Sequence, residues 1–414
     1  MTMQRPKILL SEGSSLSARE TITALGLAGH RVDIVSAEPL CLGRFSRFVS
    51  RVHPAPASGA DPDGYLATVL KIVKTSAIDA LLPVHEQAYL FAAASRRLPE
   101  SLGIALADFA SFEQVQGKAG LAELLTRLRV PQPAATLVRS AEEFAQPRPY
   151  PCFVKAAFGT ASVGVWRIAD DRARDALLAR LEQQKAFEDG VLLQAAVKGA
   201  LERTQAVFDH GRLVAFHIYR QLAEGPGGGD VLKLSVVSEQ VREIVGRIGA
   251  ALAWHGALSL DYIREDGTET PNFIDANPRL VEPMNAWLSG VDLPGALLGI
   301  SLGENPSVQP MGRAGVRTRL GLMGLMDAAR RRHRRRDVLA EMILLAGSAG
   351  RYRGTQEELV QLWTDPYCAI PLAVVAARLL RAPRATAGLS ETTVAAYSLT
   401  PQAIHRLHAW QHSD

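Results

Sequence analysis

Three side chains with complementary chemistry occupy alternate positions in one short run of the sequence. Asp275, Asn277 and Arg279 are separated by Ala276 and Pro278, and alternate residues of a β-strand point to the same face. The carboxylate and amide oxygens suit a hard cation such as Mg²⁺, and the guanidinium suits the phosphates that this cation would bridge. The run therefore predicts a metal and phosphate site.

A candidate phosphate contact lies upstream of this run. Lys155 follows the apolar residues Phe153 and Val154 and precedes a loop of small residues that extends to Gly164. An ammonium group next to a loop of low bulk could close over a polyphosphate. The chain has only eight lysines against 38 arginines, which adds weight to a lysine here, because a planar guanidinium does not replace a compact ammonium. With Asp261 on the preceding predicted strand, these residues predict an enzyme that uses ATP.

The N-terminal elements follow from hydrophobic periodicity. Short apolar runs alternate with helical patterns, which predicts βαβ units around a parallel sheet. The predicted strands are 7–10, 31–36 and 77–82, and the predicted helices are 16–28, 61–75 and 87–97. The turn after the first strand lacks the G-x-G-x-x-G spacing, so no dinucleotide site is expected there.

The central elements are predicted from capping and turn signals. Ser111 and Gln114 have the capping-box spacing and predict the start of a helix that carries Lys118, and Ser140 with Glu143 predicts a second short helix. The predicted strands of this region are 153–155, 163–168, 191–194, 203–208, 213–220 and 258–264, followed by the strand that carries Asp275.

Composition limits the class of protein. A chain of 414 residues with 47% hydrophobic and 21% charged residues predicts a globular protein of two to three domains. The excess of positive charge that gives the net charge of +4 is concentrated in one segment, because six arginines lie within 330–336. General nucleic-acid binding is therefore not expected. The run is typical of a solvated helix face, and the alternative is contact with an anionic partner such as a membrane or a nucleic acid.

Other function classes find no support in the sequence. Cys41, Cys152 and Cys368 are far apart and have no metal-ligand spacing, which disfavours a disulfide framework and a zinc site. No signal peptide and no apolar stretch long enough to cross a bilayer is recognisable, so we expect a protein of the reducing cytoplasm without a transmembrane segment.

The order of the candidate residues resembles that of the ATP-grasp superfamily, in particular its carbamoyl-phosphate-synthetase-like branch. The resemblance covers roughly residues 7 to 310. It implies an α/β and α+β fold class with a Rossmann-like pre-grasp domain and a two-subdomain ATP-grasp fold. The implied boundaries are 1–110 for the pre-grasp domain, 111–190 and 191–312 for the small and large subdomains, and 313–414 for a mostly helical C-terminal extension.

The resemblance also implies a role for each matching residue. Lys118 and Lys155 would contact the α- and β-phosphates of ATP, under a loop that includes Gly159, Ser162 and Gly164. The ligands of Mg²⁺ or Mn²⁺ would be Asp261, Asp275 and Asn277. Arg279 would stabilise the transferred phosphoryl group, so that Arg279 and Lys155 are the candidate catalytic residues.

Nucleotide recognition departs from the family pattern. Gln194 is followed by Ala195, where many family members have a glutamate that contacts the adenine amino group. Adenine recognition would then depend on the backbone near Val197 and Lys198, or on Glu202. The resemblance otherwise implies that Glu202 holds the ribose hydroxyls.

Four residues are candidate substrate contacts. Gly228 lies in a triple-glycine loop flanked by Arg220 and Lys233, which is either a flexible connector or a lid near the reacting carboxylate. Glu282 is either a general base or amine ligand, or an ordinary surface carboxylate.

The resemblance implies an ATP-dependent carboxylate–amine ligase. A small-molecule carboxylate would be activated as an acyl phosphate, with conversion of ATP to ADP, and a nucleophile such as an amine would displace the phosphate. The alternatives are a bicarbonate-using carboxylase or carbamoyl-type ligase, and a nucleotide-binding regulatory protein without turnover. A homodimer is a further possibility.

Overall fold

A parallel sheet forms the N-terminal part of the computed structural model, which describes residues 5–157, 164–385, 394 and 397–412. Its strands are β1 (Ile8–Leu10), β2 (Val32–Ser36), β3 (Val49–Pro54) and β4 (Ala80–Leu82), in the order β3-β2-β1-β4. The helices are α1 (Leu16–Leu27), α2 (Pro62–Ser76) and α3 (Gln87–Ala93). The predicted parallel sheet is confirmed. Strand β3 was missed because its side chains are largely exposed and lack a buried apolar pattern.

Two helices follow, and the predicted start of the first one was wrong. Helix α4 (Phe109–Gln116) begins two residues before Ser111, because Asp108 caps it and accepts a hydrogen bond from the Ser111 N–H at 2.6 Å. Helix α5 (Lys118–Arg127) starts after a break at Gly117, so Lys118 is the first residue of its own helix. The second predicted cap is confirmed, since Ser140 caps α6 (Ala141–Ala145).

A four-stranded antiparallel sheet comes next. Its strands are β5 (Ala135–Val138), β6 (Cys152–Ala156), β7 (Val165–Ile168) and β8 (Val191–Ala195), in the order β5-β8-β6-β7. Helix α7 (Asp171–Gln183) packs on this sheet through Leu177 and Leu181.

A seven-stranded sheet forms the centre of the molecule. Its strands are β9 (Gly199–Asp209), β10 (Arg212–Glu224), β11 (Asp230–Val236), β12 (Gly256–Glu265), β13 (Pro271–Asn277), β14 (Arg317–Arg319) and β15 (Gln356–Glu357). Their order is β13-β12-β9-β10-β11-β14-β15. Helix α8 (Glu239–Ala251) buries Val241, Val245 and Ile248 in the same core as Ala206 and Phe208 of β9. Helices α9 (Met284–Ser289) and α10 (Leu293–Ser301) follow β13.

The C-terminal part contributes both helices and strands. Its described helices are α11 (Gly321–Arg332), α12 (Arg335–Ala346), α13 (Ala369–Arg381) and α14 (Pro401–His412). Because β14 and β15 pair with the large sheet, that sheet continues past residue 312, and the four boundaries stay predictions.

A buried ion pair connects the C-terminal part to the N-terminal part. The carboxylate of Asp365 accepts hydrogen bonds from Arg19 of α1 at 2.8 Å and from Ser46 at 2.5 Å. No helix in the described part of the chain is long and apolar enough to cross a membrane.

Candidate functional site

Strand register brings the predicted metal ligands together on one face of the large sheet. Asp261 of β12 pairs directly with Asp275 of β13, and Ser259 pairs with Asn277. Directly paired residues of adjacent strands project to the same side, so Asp261, Asp275 and Asn277 share that face. Their oxygens could hold one divalent cation with room for phosphate oxygens and water, as Mg²⁺ requires.

Arg203 of the next strand, β9, lies on the same face of the sheet. It pairs with Asp261 across β9 and β12, and its guanidinium contacts Asp261 at 3.4 Å and Asp230 at 2.5 Å. The sequence reasoning missed Arg203 because it had no reason to separate it from the other arginines. Gly228 belongs to the same neighbourhood, since its carbonyl accepts a hydrogen bond from Arg203 at 3.3 Å.

Two lysines approach β13 from the side of the small sheet. Lys118 forms an ion pair with Asp275 through its ammonium group, and Lys155 donates a hydrogen bond to the Ile274 carbonyl at 2.6 Å. Lys118 is the first residue of α5, where the helix dipole disfavours a positive charge. The ion pair with Asp275 offsets that cost. Both lysines thus lie beside the predicted metal ligands.

The charges of this group change the pKa values of its members. Burial lowers the pKa of Lys155 to about 8, although the Asp275 carboxylate opposes the shift. Burial alone would raise the pKa of Asp275, but Lys118 and Lys155 outweigh burial, and the pKa lies below its usual value. Burial raises the pKa of Asp261, against the opposing effect of Arg203. Asp275 therefore stays ionised, and Lys155 is held in a site that destabilises its charge.

Arg279 faces a cleft between the N-terminal part and the large sheet. Its guanidinium donates to the Asn277 amide oxygen at 3.1 Å. The cleft encloses about 330 Å³, including its open mouth, and is lined by His85, Glu86, Lys118 and Arg279 among others. Burial and the charge of Arg279 lower the pKa of His85 well below its usual value, so this imidazole is neutral. The guanidinium of Arg279 therefore lies next to the predicted metal ligand Asn277 at an open cleft.

The residues predicted to recognise adenine lie where β8 leads into β9. Gln194 is buried on β8, Lys198 is exposed, and Val197 is half-buried between the two strands. Gly164 accepts a hydrogen bond from the Ala156 N–H at 2.8 Å. The predicted loop residues Gly159 and Ser162 lie outside the described residues.

Glu202 does not lie with the predicted metal ligands. It is adjacent in sequence to Arg203 on β9 and therefore projects to the opposite face of the sheet. Its fully buried carboxylate accepts hydrogen bonds from Arg220 at 2.6 Å, from Arg264 at 3.0 Å and from the Tyr262 hydroxyl. The geometry gives no support to the ribose role predicted for Glu202 or to the substrate role predicted for Arg220.

Lys233 and Glu282 lie together in a buried cluster. The Lys233 ammonium contacts Glu282 at 2.6 Å and Glu358 at 2.7 Å. Glu20 of α1 lies close enough for the three carboxylates to share one ion. Burial raises the pKa of Glu20 well above its usual value, although the Lys233 charge opposes the shift. Lys233 and Glu282 were predicted separately as substrate contacts, and the structure brings them together. The sequence reasoning missed Glu20 and Glu358, which come from distant parts of the chain.

Comparison with known proteins identifies the fold. No family model matches the sequence. Acetyl-CoA carboxylase 1 of Oryza sativa subsp. japonica is 24% identical over 166 residues, which are 37% of this chain and 7% of that protein. The chain thus matches only a small part of such relatives.

Solved structures match over a larger part of the chain, and they define the class as the ATP-grasp fold. One is the biotin carboxylase domain of Hydrogenobacter thermophilus 2-oxoglutarate carboxylase, a dimer in complex with MgADP, ADP and bicarbonate. It has a TM-score of 0.58 and 16% identity, and covers 75% of this chain and 73% of that one. Another is an L-amino acid ligase from Bacillus licheniformis, with a TM-score of 0.56, 16% identity, and coverage of 74% and 78%.

Proposed function

We propose that this protein is an ATP-dependent ligase that activates a carboxylate as an acyl phosphate. The observation that carries the proposal is the juxtaposition of Asp261, Asp275 and Asn277 with the ammonium groups of Lys118 and Lys155. Phosphoryl transfer needs positioning and charge neutralisation more than covalent help from the protein. Oxygen ligands flanked by buried cations supply both.

The donor set suits a divalent cation. Asp275 uses Oδ1 for Lys118 and for the Ala276 N–H, and Asp261 uses Oδ2 for Arg203, which leaves the second oxygen of each carboxylate for a metal. Mg²⁺ accepts two or three protein oxygens and fills its other positions with phosphate and water. When bound, it would neutralise charge on the β- and γ-phosphates.

The chain's own residues would then position the reactants. Lys118 and Lys155 would hold phosphate oxygens, and Arg279 would face the group in transfer. A carboxylate oxygen of the substrate attacks the γ-phosphorus, forming the acyl phosphate as the bond to the β-phosphate oxygen breaks and ADP leaves. The amine nitrogen then attacks the acyl carbon, inorganic phosphate leaves, and the nitrogen loses a proton.

A second candidate is a carboxylase in which bicarbonate replaces the organic carboxylate. The similarity to acetyl-CoA carboxylases over 166 residues favours it, and a matched structure contains bicarbonate. The nucleotide-binding protein without turnover stays an alternative, and it predicts MgATP binding without ADP release. The homodimer and the cytoplasmic location also stay predictions.

One experiment separates these functions. Phosphate and ADP release are measured at fixed MgATP for a panel of carboxylates crossed with amines, with bicarbonate as one member of the panel. Hydroxylamine replaces the amine in a parallel series, because it traps an acyl phosphate as a hydroxamate. ADP, phosphate and hydroxamate support the ligase, and release that requires bicarbonate alone supports the carboxylase. AMP and pyrophosphate as stoichiometric products would refute both.

A further inference from the structure

The outer faces of α12 and α13 carry exposed apolar side chains. Leu339 and Ile343 of α12, and Ile370 and Val374 of α13, are spaced by four residues and therefore lie on one face of each helix. Ile343 is 72% exposed and Val374 is 60% exposed. The opposite faces bury residues such as Val338 and Leu379 in the core of the C-terminal part. Both helices thus expose apolar side chains to solvent, although their opposite faces already pack in a hydrophobic core.

The segment that leads into α13 also carries exposed apolar side chains. Leu362 and Tyr367 are more than half exposed, and Trp363 is 99% exposed. The two helices are antiparallel neighbours, because Arg335 at the start of α12 donates to the Arg381 carbonyl at the end of α13 at 3.2 Å. We define the apolar patch as Leu339, Ile343, Leu362, Trp363, Tyr367, Ile370 and Val374. Exposed apolar surface of this kind marks an interaction site.

The part of the chain that carries the apolar patch is rich in exposed arginines. Ten arginines between 330 and 385 are exposed, namely Arg330, Arg331, Arg332, Arg334, Arg335, Arg336, Arg353, Arg378, Arg381 and Arg384. None of the six acidic residues between 321 and 385 is exposed. Arg330 and Arg331 pair with Asp327, and Arg336 lies near Asp337. Arg335 and Arg381 lie together at one end of the helix pair, so this end of the apolar patch has a basic border.

We propose that the apolar patch and its basic border dock on an anionic lipid bilayer. Aliphatic and aromatic side chains of an interfacial helix enter the boundary between headgroups and acyl chains, while arginines bind anionic headgroups. A fully exposed tryptophan suits this boundary. The charge argues against a second copy as the occupant, because two such surfaces would bring their arginines together. A nucleic acid would use the arginines but not the aliphatic side chains.

The test is flotation of the full-length protein with vesicles of two compositions, phosphatidylcholine alone and phosphatidylcholine with about one-third phosphatidylglycerol. We expect binding to the anionic vesicles, little binding to the neutral ones, and a loss of binding at high salt. Trp363 fluorescence should shift to the blue on binding, because this side chain moves from water to the interface. The readout does not depend on enzymatic activity.

Two variants and two controls sharpen the test. Replacing Arg334, Arg335 and Arg336 by glutamine should weaken binding on the order of 100-fold, given the energy of each arginine near an anionic surface. Trp363→Ser should weaken it about tenfold and should not affect folding, since an exposed side chain makes few contacts. The matched controls are the triple replacement of Arg51, Arg167 and Arg172 by glutamine, and Leu40→Ser at another exposed apolar residue.

Three outcomes would overturn the proposal. The first is no preference for anionic vesicles, and the second is equal loss of binding in the control variants. The third is an interaction with another occupant in place of the vesicles. That occupant would be a second copy if light scattering shows self-association that Trp363→Ser abolishes, and a nucleic acid if a DNA duplex binds and vesicles do not.

Discussion

Replacing Lys155 by methionine should make the nucleotide-free protein more stable while it weakens ATP binding. Lys155 is only 5% exposed, and burial lowers its pKa from 10.5 to about 8. Its protonated form therefore destabilises the folded state at pH 7, by about 3 kcal/mol at ~1.4 kcal/mol for each unit of pKa. Loss of the hydrogen bond to the Ile274 carbonyl destabilises the variant by about 1 kcal/mol, which offsets part of this gain. We expect a net gain of about 2 kcal/mol in the free energy of unfolding.

The pH dependence gives this prediction a second, independent signature. The folded-state pKa of Lys155 lies below the unfolded-state value, so the wild-type protein gains stability as the pH rises from about 8 toward 10.5. The advantage of Lys155→Met should therefore shrink by about 1 kcal/mol between pH 7 and pH 9. Urea unfolding at both pH values measures the change, and titration with MgATP at pH 7 measures binding.

Lys71→Met is the control, because Lys71 is an exposed lysine on α2. It should change neither stability nor nucleotide affinity appreciably. The reasoning is refuted if Lys155→Met is less stable than the wild type at pH 7 and the difference does not depend on pH. Normal MgATP affinity in this variant would separately remove Lys155 from the phosphate site.

Three further substitutions test the site. Asp275→Ala should abolish ADP formation. Its control, Asp266→Ala, changes an exposed turn and should leave ADP formation intact. Near-normal turnover in folded Asp275→Ala would contradict the proposed metal site. Arg279→Ala should lower kcat by ~10²–10³ with a smaller effect on MgATP affinity, because its contact strengthens in the transition state; a change confined to KM would count against this role. Glu202→Gln should cost about 2–3 kcal/mol of stability, because the buried carboxylate would lose its charge-assisted hydrogen bonds with the partly exposed Arg220 and Arg264, while the folded variant should bind MgATP normally. Urea unfolding and MgATP titration together decide that last case.

The period-two pattern predicted one shared face for Asp275, Asn277 and Arg279, but β13 ends at Asn277, so strand alternation applies only to the first two. Asp275 and Asn277 are on one face by alternation alone, and the Asn-Pro step after them marks the end of the strand. The pairing partner of Asp275 could not be derived in the same way, because strand register is a property of two distant segments. Asp261 was predicted from its place on the preceding predicted strand and from the family resemblance, and the structure shows that it pairs with Asp275.

Adjacent charged residues on β9 show why the rest of the site was harder to predict. Glu202 and Arg203 are neighbours on one strand, so one of them must face the predicted metal ligands and the other must face away. A shift of one residue in register exchanges the two, and the sequence contains no signal that fixes the choice. The cluster of Glu20, Lys233 and Glu358 was inaccessible for a related reason, since its members meet only when the N-terminal, central and C-terminal parts are assembled.

The contacts of the two lysines also bear on what an ATP titration would measure. Lys118 contacts Asp275 and Lys155 contacts the Ile274 carbonyl, so both ammonium groups already have partners on β13. The Lys118 N–H donates to the Ala157 carbonyl at 3.2 Å, which couples the start of α5 to the beginning of the small-residue loop. Phosphates and a cation would have to replace the ion pair between Lys118 and Asp275. Binding energy is therefore a difference between two sets of charge contacts, and Lys155→Met should reduce ATP affinity by less than a free phosphate–ammonium contact would suggest.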